Sequence, residues 1–177
     1  MLTSRSDKCF APIAQRDAIV LILGSLPGRR SLELQQYYGH PRNVFWKIVG
    51  AVLEEDMAVP YEQRVKLLTN HRIAVWDVLA AAERPGSLDS AIVDASAVAN
   101  DFRGFFRRHP HIRCVFFNGQ KAASIYRRVM RAKPEEESAR LRYAALPSTS
   151  PAHAGLSYQK KLQAWRAITR CTKGEET

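Results

Sequence analysis

Cysteine is scarce in this sequence, and the three that occur, Cys9, Cys114 and Cys171, are scattered along it. Such spacing excludes a four-thiolate metal or cluster site and a disulfide framework, and predicts buried or incidental thiols. No apolar run approaches the ~20 residues that a membrane-spanning helix needs, so no membrane partner is expected. The opening MLTSRSDKCF has neither an apolar signal core nor a small-residue cleavage site, which points to the cytoplasm, with nucleoid association when bound to DNA. Acidic residues are also few: 17 Asp and Glu stand against 27 Lys and Arg, for a net charge of +10. An excess of that size favours a polyanionic partner, nucleic acid first.

Several well-known sites are missing too. Arg29 stands where G-x-x-x-x-G-K-[ST] requires its second glycine, and Leu26 where G-x-G-x-x-G requires its own. There is no G-x-S-x-G. His109 and His111 flank Pro110 without H-E-x-x-H or a cysteine pair, which reads as a loop, so no metal is expected. Asp77 is the one acidic residue directly at a predicted strand end, which leaves catalysis by two carboxylates unsupported.

What is present is a pattern of alternating elements. At 177 residues, 46% hydrophobic and 25% charged, the chain fits one domain spanning 1–177. The run AIVLIL, closing at Leu23 and followed by Gly, Pro and Gly, predicts a strand buried on both faces. Phe45, Ile48, Val49 and Val52 recur at helical spacing behind Asn43, which sits where an N-cap would. A second helix is expected over Tyr61–Asn70, a strand over Ile73–Leu79, and a loop at Pro85 and Gly86. Phe102, Phe105 and Phe106 belong to another helix. Cys114–Phe117 is a buried strand, Asn118-Gly119 a turn, and a helix bearing Arg127 and Arg128 follows; Lys133–Ser138 reads as a solvated connection. A fourth strand ends near Leu146, and Tyr158, Leu162, Trp165 and Ile168 mark one closing helix. Strands alternating with helices predict a parallel sheet covered by helices on both faces.

Ligands of such sheets bind beyond the carboxyl ends of the strands, where GSLPG, Asp77, Asn118 and LPSTSPAHAG would all meet. The residues gathered there, Ser25, Tyr37, Tyr38, His40, Asn43, Asn118, Ser148, Thr149, Ser150 and His153, are neutral and polar. With a basic exterior, they suit a flat, uncharged, hydrogen-bonding group attached to a phosphate backbone, such as a nucleobase flipped from a duplex.

The blocks GSLPG…QYYGHPRNVFW, WDVL…ERPGSLDSAI, FNGQKA and LPSTSPAHA, in that order between Ala18 and Trp165, resemble the uracil-DNA glycosylase superfamily, most closely its hypoxanthine (deoxyinosine) branch. That resemblance implies a three-layer α/β/α fold around a four-stranded parallel sheet. It implies a monofunctional enzyme of base excision repair that hydrolyses the N-glycosidic bond of a deaminated base and leaves an abasic site, with no cofactor. The partner would be double-stranded DNA, and the protein a monomer. A uracil or mismatch-specific enzyme on the same fold and a non-catalytic DNA-binding protein are the alternatives. Leu26 and Leu146 replace polar residues that other branches carry, and the resemblance then gives catalysis to Asn43, whose residue-level alternative is a helix cap. Tyr38 would stack on the base, ~1–3 kcal/mol for such a contact, and Tyr37 would pack. Gly24, Ser25 and Leu26 would meet a base carbonyl through backbone N–H groups. Asp77 would accept a ring N–H or act only as a local cap or ion-pair residue, and Asn118 would hold the base or the turn. His40, Lys121, Ser148, Thr149, Ser150 and His153 would contact DNA; Lys160 and Lys161 could join them.

Overall fold

Val20–Gly24 buries all five of its side-chain positions, which only a strand with a covered sheet on either side can do. The protein is described here from a computed structural model covering residues 6–86, 88–132 and 140–174. The expected connection Lys133–Ser138 lies outside the described residues. In chain order the elements are β1 (Ser6–Lys8), β2 (Val20–Gly24), α1 (Arg29–Leu34), α2 (Phe45–Leu53), α3 (Tyr61–Asn70), β3 (Ile73–Asp77), β4 (Leu79–Glu83), β5 (Val98–Ala99), α4 (Phe102–Arg108), β6 (Cys114–Asn118), α5 (Gln120–Ala132), β7 (Arg142–Leu146), α6 (Tyr158–Trp165) and α7 (Ala167–Lys173).

The main sheet is parallel throughout, in the order β3-β2-β6-β7, as the alternation predicted. One face is an aromatic layer in which Trp76 of β3 meets Phe102 and Phe105 of α4, and Phe102 meets Tyr126 of α5. On the other, α2 packs against α6 and α7, with the Phe45 and Trp165 rings edge to face at 5.8 Å. Together they give three α/β/α layers.

The chain leaves β2 for β3 on one side and later fills β6 on the other. Strand order therefore reverses between β2 and β6, and the crevice between their carboxyl ends is where this architecture binds ligands. Gly24, the last residue of β2, pairs in register with Asp77, the last of β3; Asn118, the last of β6, pairs with Leu146, the last of β7.

Four expectations are corrected. The strand expected over Ile73–Leu79 ends at Asp77, because Val78 and Leu79 donate their N–H groups to the Gly24 and Ser25 carbonyls and turn the chain into β4. That strand joins β1 and β5 in a small antiparallel sheet that no alternating run announced. The closing helix is two, α6 and α7, broken at Arg166. Cys114 and Cys171 are not thiols but a disulfide joining β6 to α7, since the fold brings their Cα atoms to 6.5 Å across a separation of 57 residues. Cys9 remains free, and burial pushes its thiol up to about 11.

Candidate active site

Beyond the ends of β2 and β6 lies a cavity of about 600 Å³, within the usual size of small-molecule sites. Gly24, Ser25, Leu26, Tyr38, Asn43, Asp77, Asn118, Lys121, Ser148, Thr149, Ser150 and His153 all line it. His40 does not. Its Nδ1 accepts the Arg42 N–H at 3.1 Å, so the ring braces the loop outside the cavity.

The first wall is the turn after β2. The Gly24 and Ser25 carbonyls are held by β4-side N–H groups at 2.8 and 3.1 Å. Because the peptides of this turn are trans, the N–H groups of Ser25 and Leu26 point the opposite way, away from β3. Neither makes a hydrogen bond among the described residues. Arg84, whose side chain is fully buried, fastens the far half of the turn: its guanidinium donates to the carbonyls of Leu26 and Pro27 and pairs with Asp7 at 2.7 Å. It also reaches Asp89 at 3.7 Å.

The second wall is the loop after β7. Thr149 is buried, donates from its N–H to Asn118 Oδ1 at 2.9 Å and accepts from Asn118 Nδ2 at 2.8 Å. That clasp occupies one donor and one acceptor of the Asn118 amide, and it turns Thr149 away from the surface where a phosphate contact would lie. Gly119 has φ +103°, and a Cβ there would come within 3.0 Å of Ser148, so the turn needs its glycine. The hydroxyls of Ser148 and Ser150 accept the N–H groups of Ser150 and Ala152 and shape the loop. His153 is exposed at the rim, while Lys161 is buried and donates to the His153 carbonyl at 2.7 Å, which removes it from the expected DNA contacts.

Asn43 stands between the walls. It is one residue before the N-cap Val44, and its Oδ1 accepts the Phe45 N–H at 3.0 Å, so the expected capping role is present in shifted form. The Val44 N–H bonds to the Thr149 carbonyl at 3.1 Å, which ties Asn43 to the second wall. One lone pair of Oδ1 and the Nδ2 group remain without partners among the described residues.

Tyr38 forms the side of the cavity. Its ring stacks on Phe45 with centroids 3.8 Å apart, in a backbone held at φ +55°. Tyr37 is buried and packs, as expected, with its hydroxyl on the Phe10 and Ala11 carbonyls.

At the floor, Ser25 Oγ, Tyr38 Oη and Asp77 Oδ2 are buried and without a hydrogen-bond partner among the described residues. Gly24 makes room for two of these residues: a Cβ there would overlap Asp77 Oδ1 and stand 3.2 Å from Tyr38 Oη. Burial first, and then the negative charge of Asp89, push the Asp77 carboxyl up to about 8 against the pull of Arg84. Burial and then the Asp77 charge raise the Tyr38 phenol, with Asn118 opposing.

Arg84 and Asp89 are cavity residues that the pattern of the sequence did not single out, although both sit in the ERPGSLDSAI block. Among the described residues no cluster of three or more His, Cys, Asp and Glu is placed to hold a metal ion, and no described helix is long and apolar enough to cross a membrane. The arrangement offers an aromatic ring and backbone N–H donors to a flat group, with an amide beside it.

Comparison with known proteins meets this geometry. The sequence model of the family described as "Uracil DNA glycosylase superfamily" matches residues 12–169. A protein of Methanosarcina acetivorans named hypoxanthine DNA glycosylase is 38% identical over 91% of this chain and 96% of its own. A protein of Methanosarcina barkeri with the same name is 38% identical over 70% of this chain and 77% of its own. A solution NMR structure from Methanosarcina acetivorans, assigned as a candidate uracil DNA glycosylase, superposes with a TM-score of 0.79 at 35% identity, covering 96% of this chain and 99% of that one.

Proposed function

Because this chain belongs to the uracil DNA glycosylase superfamily and is a DNA glycosylase, we propose that the lesion it releases is hypoxanthine, from deoxyinosine in duplex DNA. The observation that carries the reading is the cavity beyond β2 and β6, which Tyr38, Asn43 and the Ser25–Leu26 turn line together, with the N–H groups of Ser25 and Leu26 unbonded among the described residues. The names of the two 38% identical relatives support the purine in particular.

In this reading the deoxynucleotide leaves the stack and enters between the two walls. Phe45 covers one face of the Tyr38 ring, and the base meets the other. The N–H groups of Ser25 and Leu26 receive the six-position oxygen, where negative charge grows as the purine departs. The sugar becomes cationic, so the attacking water needs orientation more than a strong base. Asn43 supplies that orientation through the amide atoms its Phe45 bond leaves over. Lys121 and His153, at the mouth, take the flanking phosphates. The enzyme acts as a monomer.

The test incubates the protein with matched duplex oligonucleotides carrying one inosine, one uracil or neither, then breaks abasic sites with hot alkali. Cleavage at inosine well above that at uracil is the expected result. Cleavage at uracil alone would overturn the purine assignment and leave the family intact.

A further inference from the structure

Asp77 has no partner that accounts for its burial. It is 3% exposed at the end of β3, and it fits there because residue 24, its register partner, has no side chain. The groups facing it are Tyr37 and Tyr38 from the loop before α2, Cys9 from the segment after β1, Asp89 from the turn at Asp89–Ala91, and Arg84 after β4. Only Arg84 is cationic, and its hydrogen bonds go to Asp7, Leu26 and Pro27 rather than to Asp77. A carboxylate in such a place is costly, while a protonated carboxyl is a neutral group with one O–H to donate.

We propose that Asp77 is a catalytic acid that donates this proton to N7 of the bound purine as the glycosidic bond breaks. The inference rests on the hypoxanthine reading. A purine whose six-position oxygen meets the Ser25 turn presents N7 on the same edge, and Asp77 lies in register beside that turn. The Asp77 carboxyl lines the cavity, and its O–H is the donor. The proton passes from the carboxyl O–H to N7, the electron pair of the C1′–N9 bond moves onto the base, and hypoxanthine leaves neutral. Water adds to C1′ and gives up its proton, which restores the Asp77 carboxyl. Uracil has a C–H where N7 would lie, so the same group favours purines.

Burial and Asp89 place the titration of Asp77 near 8, which makes the step visible in a pH profile. Single-turnover release from inosine should be level below that pH and fall about tenfold per unit above it. Asp77→Asn should be at least about 100-fold slower, as expected for loss of a general acid, with no such fall. On 7-deazadeoxyinosine, which lacks the acceptor, Asp77→Asn and the natural protein should differ by less than about threefold. A comparable loss on both substrates, or an Asp77→Asn protein with the natural rate and pH limb on inosine, overturns the proposal while the hypoxanthine reading stands. No release from inosine by the natural protein overturns both.

Discussion

Keeping an acid buried beside another acid works against folding, and at Asp77 the sign can be followed with pH. Its carboxyl titrates near 3.8 in the unfolded chain and near 8 in the folded one. Between those values the folded state binds the extra proton, so stability falls as pH rises through the window and levels above it. The difference is on the order of 5 kcal/mol. Asp77→Asn should therefore raise the melting temperature at pH 8 while leaving it little changed at pH 4, and thermal melts over that range will check it. Equal shifts at both ends would show that the carboxyl does not titrate as described. Position 77 was legible as an acid at a strand end. Its lack of a partner was not, because that depends on three distances set by residues 24, 38 and 84 together. Arg84 escaped for a related reason: Arg-Pro-Gly reads as a turn, and the Asp7 that buries its charge is 77 residues away.

Among elements, the four parallel strands and the α2, α3, α4 and α5 segments follow from apolar runs and helical spacing, and the structure places them where those patterns put them, except that β3 stops two residues early, at Asp77. The elements the pattern missed are short or exposed on one side. Strands β1 and β5 are three and two residues long and exist by pairing with β4. Helix α1 hides inside the site loop, where Gly28 starts it without a side-chain cap. The Cys114–Cys171 bond was illegible because no spacing rule reaches across 57 residues, and it is the packing of α7 against β2 and α2 that brings Cys171 to the sheet. A bridge closing that much chain restricts the unfolded state by about 4 kcal/mol in the loop-entropy account. Cys171→Ser should lower the melting temperature by several degrees, and dithiothreitol should lower that of the natural protein but not of the variant. Identical melts with and without reductant would show that the bridge adds nothing to stability.

For the whole molecule, the net charge of +10 named the class of partner before any site was visible, but it overstates what is available to DNA. Arg84 is consumed in the turn, Lys161 is buried on a backbone carbonyl, and Arg128 holds Asp94 in a two-pronged pair on the surface. Counterion release depends on cations that meet phosphates, so the sensitivity of binding to salt reports on these few rather than on the total. Lys121 follows the Asn118-Gly119 turn and lines the cavity, which on the proposed reading puts it beside the strand that carries the flipped base. Lys121→Ala should weaken duplex binding by a similar factor with or without the lesion, and reduce the slope of log affinity against log salt by about 1. Arg128→Ala should leave that slope unchanged, since its guanidinium is already matched by Asp94. Titrations of labelled duplex between low and moderate salt distinguish the two. A change of slope in Arg128→Ala with none in Lys121→Ala would move the proposed DNA path from Lys121 to the part of α5 that carries Arg128, and with it the proposed direction of base entry.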